Sequence, residues 1–202
     1  DAFDFVLYLL AIPALRAEGF ELEAATLLVI APVVGVLVAL VAWGAAADRW
    51  GERRVLTAGL AGAGLALVAA ASLDGFLARW CLLFVAGASS AAIQAASGRL
   101  VLGWFGPRER GLAMGIRQAG LPLGIALTAL VLPPLAADGV ATGLLALAGA
   151  CLLGSTLIAT FVRDPTREPA PARPGVRAAP YREGFLWRIH LASSMLVIPQ
   201  YA

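Results

Sequence analysis

The sequence predicts an all-α fold, a polytopic bundle of membrane helices, and three observations carry that expectation. Of the 202 residues, 60% are hydrophobic and 14% are charged, against roughly 45–50% and about 25% in ordinary soluble domains. One buried core cannot absorb that surplus, whereas a bilayer also solvates apolar side chains on the outside of a fold. Several apolar runs reach the roughly 20 residues that a helix needs to cross the hydrocarbon. The arginines, finally, gather in alternate connections between those runs.

Taking charges and Pro/Gly clusters as breaks gives seven candidate spans. Residues 1–15 form a short first one. Ala25–Ala47, Val55–Leu73, Trp80–Leu102, Gly111–Leu135 and Val140–Val162 are each about long enough to cross, and a seventh begins at Phe185. The expected organisation is a bundle over residues 1–162 (the tail of span one and five full spans), a linker over 163–184, and the start of span seven over 185–202. The linker reads RDPTREPAPARPGVRAAPYREG, and its proline and arginine content marks an exposed segment.

Orientation follows from charge. Arg49, Arg53, Arg54, Arg108, Arg110, Arg163, Arg167, Arg173, Arg177 and Arg182 fall in loops 2–3, 4–5 and 6–7, and only Arg16 and Arg79 fall on the other side. The positive-inside bias makes the first set cytoplasmic. The expected location is the plasma membrane, the inner membrane of a bacterium. The spans are rich in small residues, as at Gly59, Gly62 and Gly64, which let helix backbones approach closely.

Some chemistry is excluded. The chain has no lysine, so the phosphate-binding loop that requires one is impossible and ATP hydrolysis by that route is ruled out. His190 is the sole histidine and stands in no zinc-type pattern. A membrane-embedded enzyme or a non-transporting receptor is the competing class, but no protease constellation is visible, and no metal or cofactor is expected. The expected partners are the bilayer and a small solute, not nucleic acid.

One ordered pattern stands out. Gly44-Ala45-Ala46-Ala47-Asp48-Arg49-Trp50-Gly51-Glu52-Arg53-Arg54 joins a small packing residue, an acid at the membrane edge, a tight turn and a basic cluster. Gly44 allows close contact, and Gly51 allows a backbone conformation closed to other residues. Asp48 can pair with an arginine or meet the positive end of a helix.

This pattern resembles the signature between helices two and three of the major facilitator superfamily of secondary transporters. Trp104-Phe105-Gly106-Pro107-Arg108-Glu109-Arg110-Gly111 is similar to that family's helix 4–5 turn. The resemblance implies twelve spans in two six-helix halves that rock around a central cavity. It also implies that Gly44, Asp48, Arg49, Gly51, Arg53 and Arg54 form a conformational latch, with Asp48 docking on a helix of a second half.

Ionisable groups inside spans are costly, about 2.5–3.5 kcal/mol for a central arginine on insertion scales, so each is a candidate for substrate or coupling chemistry. Asp4 lies about 16 Å before Leu15 along a helix. At that depth a carboxyl is a candidate carrier of a coupling proton, unless span one is longer and Asp4 sits at its edge. Arg117 shares a small, polar face with Gly120, Gly124 and Thr128, all within about 60° of it. It reads either as an anchor for an anionic substrate group or as an arginine snorkelling to the cytoplasmic edge about 9 Å away. Gln118 adds a polar group but points about 100° away. In span four, Gln94 lines one side with Gly87, Ser90 and Ser97, while Arg99, about 140° from Gln94, reads as snorkelling. Gln200 follows Pro199 roughly 22 Å into span seven, where a broken helix can line a site.

The function expected from these features is proton-coupled transport of a small, anionic organic solute by alternating access. The alternative is an efflux antiporter. Gly115 to Gly124 partly resembles the helix-five motif of proton-coupled antiporters, but that motif places proline directly after glycine, and here Leu121 separates Gly120 from Pro122.

Overall fold

The computed structural model describes residues 15–16, 19, 21–136, 139–165, 187–188, 191–192 and 195. Five helices follow in order: α1 (Leu22–Trp50), α2 (Glu52–Ser72), α3 (Phe76–Trp104), α4 (Arg110–Ala136) and α5 (Val140–Phe161). They are the expected spans two to six, and each is long and apolar enough to cross a membrane. Asp4 and Gln200 lie outside the described residues.

α1 and α3 run past the expected boundaries by up to about one turn. A helix stops where its backbone is forced out of register, not where its side chains become polar. Gly51, Gly75 and Gly139 adopt φ of +93°, +105° and +119°, values that L-residues rarely reach. At Gly51 the consequence is abrupt. Its N–H closes the last turn of α1 on the Ala47 carbonyl at 3.1 Å, and α2 starts at the next residue.

The main contacts join helices both adjacent and non-adjacent in sequence. α1 packs chiefly on α3, α3 on α2, and α2 on α5. Glycines set the spacing at each contact, as expected where helix association relies on close packing. A Cβ on Gly35 would come within 2.6 Å of the Ala88 nitrogen, and one on Gly87 would fall on the Pro32 carbonyl. Gly59 is pressed against the Ala92 methyl, and a Cβ on Gly64 would meet Leu152 Cγ at 2.7 Å. Hydrogen bonds cross the same contacts. Trp43 Nε1 donates to the Ala88 carbonyl at 2.7 Å, and Ser155 Oγ donates to the Thr57 carbonyl at 2.9 Å.

Two buried clusters result. Leu28, Val29, Leu67, Leu83 and Leu144 form the larger, joined by Leu15. Ala47, Val55, Leu56, Ala92 and Ala96 form the smaller, nearer the arginine-rich end. Leu37, Val41, Leu65, Leu77, Leu153 and Phe161 remain exposed, and lipid rather than water suits such an outer surface. Among the described side chains of α4, Ala113 is buried, while Leu112, Ile116, Leu123, Leu127 and Leu130 are exposed. It packs on α5 and α3 at the margin of the bundle.

Val162 to Pro165 continue the same compact unit. Residues 167–202 form a second unit, in which Trp187, Leu191 and Met195 are helical and exposed.

Candidate functional site

The arginine-rich end is built from the last turns of α1, α3 and α5 and the first turn of α2. Asp48 lies in the last turn of α1 on an exposed corner. Arg99 of α3 reaches it, with Nη1 donating to Asp48 Oδ1. Arg99 Nε also lies 3.7 Å from Glu52 Oε1, and Nη2 lies 3.5 Å from the Gly44 carbonyl. Arg99 therefore does extend toward this edge, but to a pair of carboxylates and not merely to solvent. Glu52 is buried, at 4% exposure, whereas Asp48 and Arg99 are 67% and 41% exposed at their side chains. The motif thus contains a second acid facing the same guanidinium. The sequence pattern names Glu52 only as a spacer, because its partner Arg99 comes from another helix.

Arg53 and Asp164 form the other half of this end. The Arg53 backbone N–H donates to Asp164 Oδ1 at 2.7 Å, and the Arg53 guanidinium donates to the Ala159 carbonyl in α5. Asp164 also stands over Gly51, where a Cβ would meet its carboxylate. Trp104 Nε1 donates to the Arg163 carbonyl at 2.9 Å, and Pro165 packs on Gly103. The first residues of the expected linker are thereby held against the bundle. Arg49 and Arg54 are exposed.

Gly44 departs from expectation within this chain. A Cβ there would meet nothing within 4 Å, so among the described residues no helix uses its small size. The close approaches fall at Gly35, Gly59, Gly64 and Gly87 instead.

A second polar cluster joins α3 and α4. Arg117 is half-buried and donates to Ser97 Oγ twice, from Nε at 3.0 Å and from Nη2 at 2.8 Å. Its Nη1 donates to Gln118 Oε1 at 2.6 Å. Helix geometry alone separates the two Cβ directions by about 100°, yet the guanidinium is long enough to turn back to its neighbour. Ser97, read as part of the Gln94 face, meets α4 instead. Gln94 is exposed, and Ser90 donates to the Gly87 carbonyl of its own helix at 2.9 Å. Of the small face expected around Arg117, Gly124 and Thr128 are half-buried, and Thr128 Oγ1 donates to the Gly124 carbonyl at 2.7 Å. Gly120 is exposed, with open space beside it.

Comparison with known proteins places this arrangement. The profile described as Major Facilitator Superfamily matches residues 1–199. Relatives from two Mycobacterium tuberculosis strains, CDC 1551 / Oshkosh and H37Rv, are each named an uncharacterized MFS-type transporter. Each is 44% identical over 192 residues, which is 94% of this chain and 43% of the relative. The chain thus spans less than half the length of these curated relatives. A profile match across nearly every residue, on a bundle whose G-x-x-x-D-R-x-G-x-R-R turn is built as described, leaves one assignment: the chain belongs to the major facilitator superfamily.

Proposed function

We propose that this chain is the first half of a proton-coupled secondary transporter for a small, anionic organic solute. In this reading its arginine-rich end faces the cytoplasm, and it works by alternating access in the plasma membrane. Membership of the superfamily supports transport. The observation that carries the solute's charge is Arg117, a half-buried arginine oriented by Ser97 and Gln118. Placing a guanidinium within a span is costly, and a substrate anion would offset part of that cost through charge-assisted hydrogen bonds. Asp4 is the proposed proton carrier. Asp48 is proposed to latch one conformation by docking against a second half, with Arg99 holding the carboxylate until it does so.

Export is a second reading. Pro122 inside α4 softens the helix in which antiporters of this superfamily carry their glycine-proline motif.

Reconstituting the full-length transporter into proteoliposomes tests both. Uptake of an anionic solute from a broad panel is expected to rise with an inward proton gradient, and Arg117→Gln is expected to abolish it. Gradient-independent flux would refute proton coupling, and unchanged transport by Arg117→Gln would refute the site. Accumulation only under an outward-directed export assay would favour the antiporter.

A further inference from the structure

An arginine side chain carries five N–H groups, and three of those on Arg117 have acceptors. Nε–H and one Nη2–H go to Ser97 Oγ, and one Nη1–H goes to Gln118 Oε1. The Ser97 hydroxyl has a single proton, which it donates to the Ile93 carbonyl one turn back in α3. Both of its lone pairs are therefore left to accept, and both face the guanidinium. The edge formed by Nε and Nη2 is closed by one hydroxyl. Two N–H groups remain, one on each terminal nitrogen, and neither has a partner among the described residues.

Where these two lie on the shared Nη1–Nη2 edge, they form a planar fork that matches the two oxygens of a carboxylate. The local charge fits as well. The arginine near the end of α3, Arg99, is engaged by Asp48 and Glu52, so the fork offers a single positive charge. A monoanion balances it, while a doubly charged phosphoryl group would be left under-neutralised in a low-dielectric site. We infer that Ser97 is a positioning residue that holds Arg117 with only this fork open, and that the fork takes a single substrate carboxylate. The inference rests on the reading of Arg117 as the substrate anchor, and it adds both the residue that orients the anchor and the chemical class of the group bound.

The test is arginine-selective labelling by phenylglyoxal in the detergent-purified full-length transporter, with modification of Arg117 followed by mass spectrometry. Three probes that share a methyl group are compared at equal ionic strength: acetate, methylphosphonate and acetamide. In the unaltered protein acetate slows labelling, methylphosphonate does so only at several-fold higher concentration, and acetamide has no effect. Ser97→Ala is expected to raise the acetate concentration for half-protection by about tenfold and to erase the preference over methylphosphonate, as befits loss of hydrogen bonds to a charged group. Ser97→Thr, which keeps the hydroxyl, stays within about twofold of the unaltered protein. Equal protection in Ser97→Ala and the unaltered protein overturns the inference. So does methylphosphonate protecting as well as acetate, or Ser97→Thr behaving like Ser97→Ala. Transport by Arg117→Gln separates the two levels: if that variant is inactive while Ser97→Ala matches the unaltered protein, the anchor stands and the positioning role falls. If Arg117→Gln transports normally, both fall.

Discussion

Asp164 Oδ1 accepts the backbone N–H of Arg53 at 2.7 Å, across 111 positions of sequence. α2 begins directly after Gly51, a residue with no side chain to satisfy the open N–H groups of a first helical turn. Asp164 supplies the acceptor from beyond the end of α5, and its charge meets the positive end of the α2 dipole. Arg53 returns the contact by donating to the Ala159 carbonyl in the last turn of α5. Each helix end thus completes the other.

Removing that acceptor should loosen the start of α2 specifically. Asp164→Ala is expected to cost about 1 kcal/mol, the usual worth of an N-cap, and Asp164→Asn less, since an amide oxygen still accepts. Hydrogen exchange at the first-turn amides of α2 should quicken in Asp164→Ala and remain unchanged in α3. Identical exchange in the variant and the unaltered protein would show that Asp164 does not cap α2.

The two motif glycines should respond in opposite ways. Gly51→Ala forces a side chain into φ of +93°, at about 1–3 kcal/mol for the backbone alone, and also displaces Asp164. Gly44→Ala meets open space, so the bundle should melt as before. If Gly44→Ala nonetheless impairs transport, its partner lies outside this bundle. Thermal unfolding in detergent gives the stability comparison, and equal drops in both variants would contradict it.

The α1–α3 contact should be intolerant of one methyl group. At Gly87 a Cβ falls on the Pro32 backbone, which no rotamer change can relieve, so Gly87→Ala is expected to cost roughly 1–3 kcal/mol as an overpacked site. Gly149→Ala, at an exposed position with nothing within 4 Å, is the matched control. A Gly87→Ala protein as stable as the control would rule out direct backbone contact between α1 and α3.

The Asp48–Arg99 pair should be weak as a stabiliser. Both partners are solvent-accessible, so a double-mutant cycle with Asp48→Asn and Arg99→Gln should give a coupling of only about 0.5–1 kcal/mol. A pair this weak can open and close readily, as a latch would require. A coupling of several kcal/mol would mark it instead as a permanent strut.

Composition and the spacing of apolar runs were enough to specify five membrane-length helices, because each depends on a stretch of some 20 neighbouring residues. The ordered turn Gly44–Arg54 was legible for the same reason: its glycine, acid and arginines stand next to one another in the chain. Arg117 and Gln118 could be named as candidates, since a charge inside an apolar run is visible locally.

The partners were not visible, because they depend on which helices meet. α1 lies on α3 and α2 on α5, so Asp48 meets Arg99 across 51 positions, Arg53 meets Asp164 across 111, and Arg117 meets Ser97 across 20. No periodicity encodes these pairs. They follow from helix contacts, and between α1 and α3 and between α2 and α5 glycines bring the backbones close enough for long side chains to span the gap. The sequence by itself therefore determined that the chain is a membrane bundle with a charged turn and an arginine inside an apolar span. The tertiary structure decided that Glu52, Arg99 and Asp164 complete that turn, and that a serine on the neighbouring helix orients the arginine.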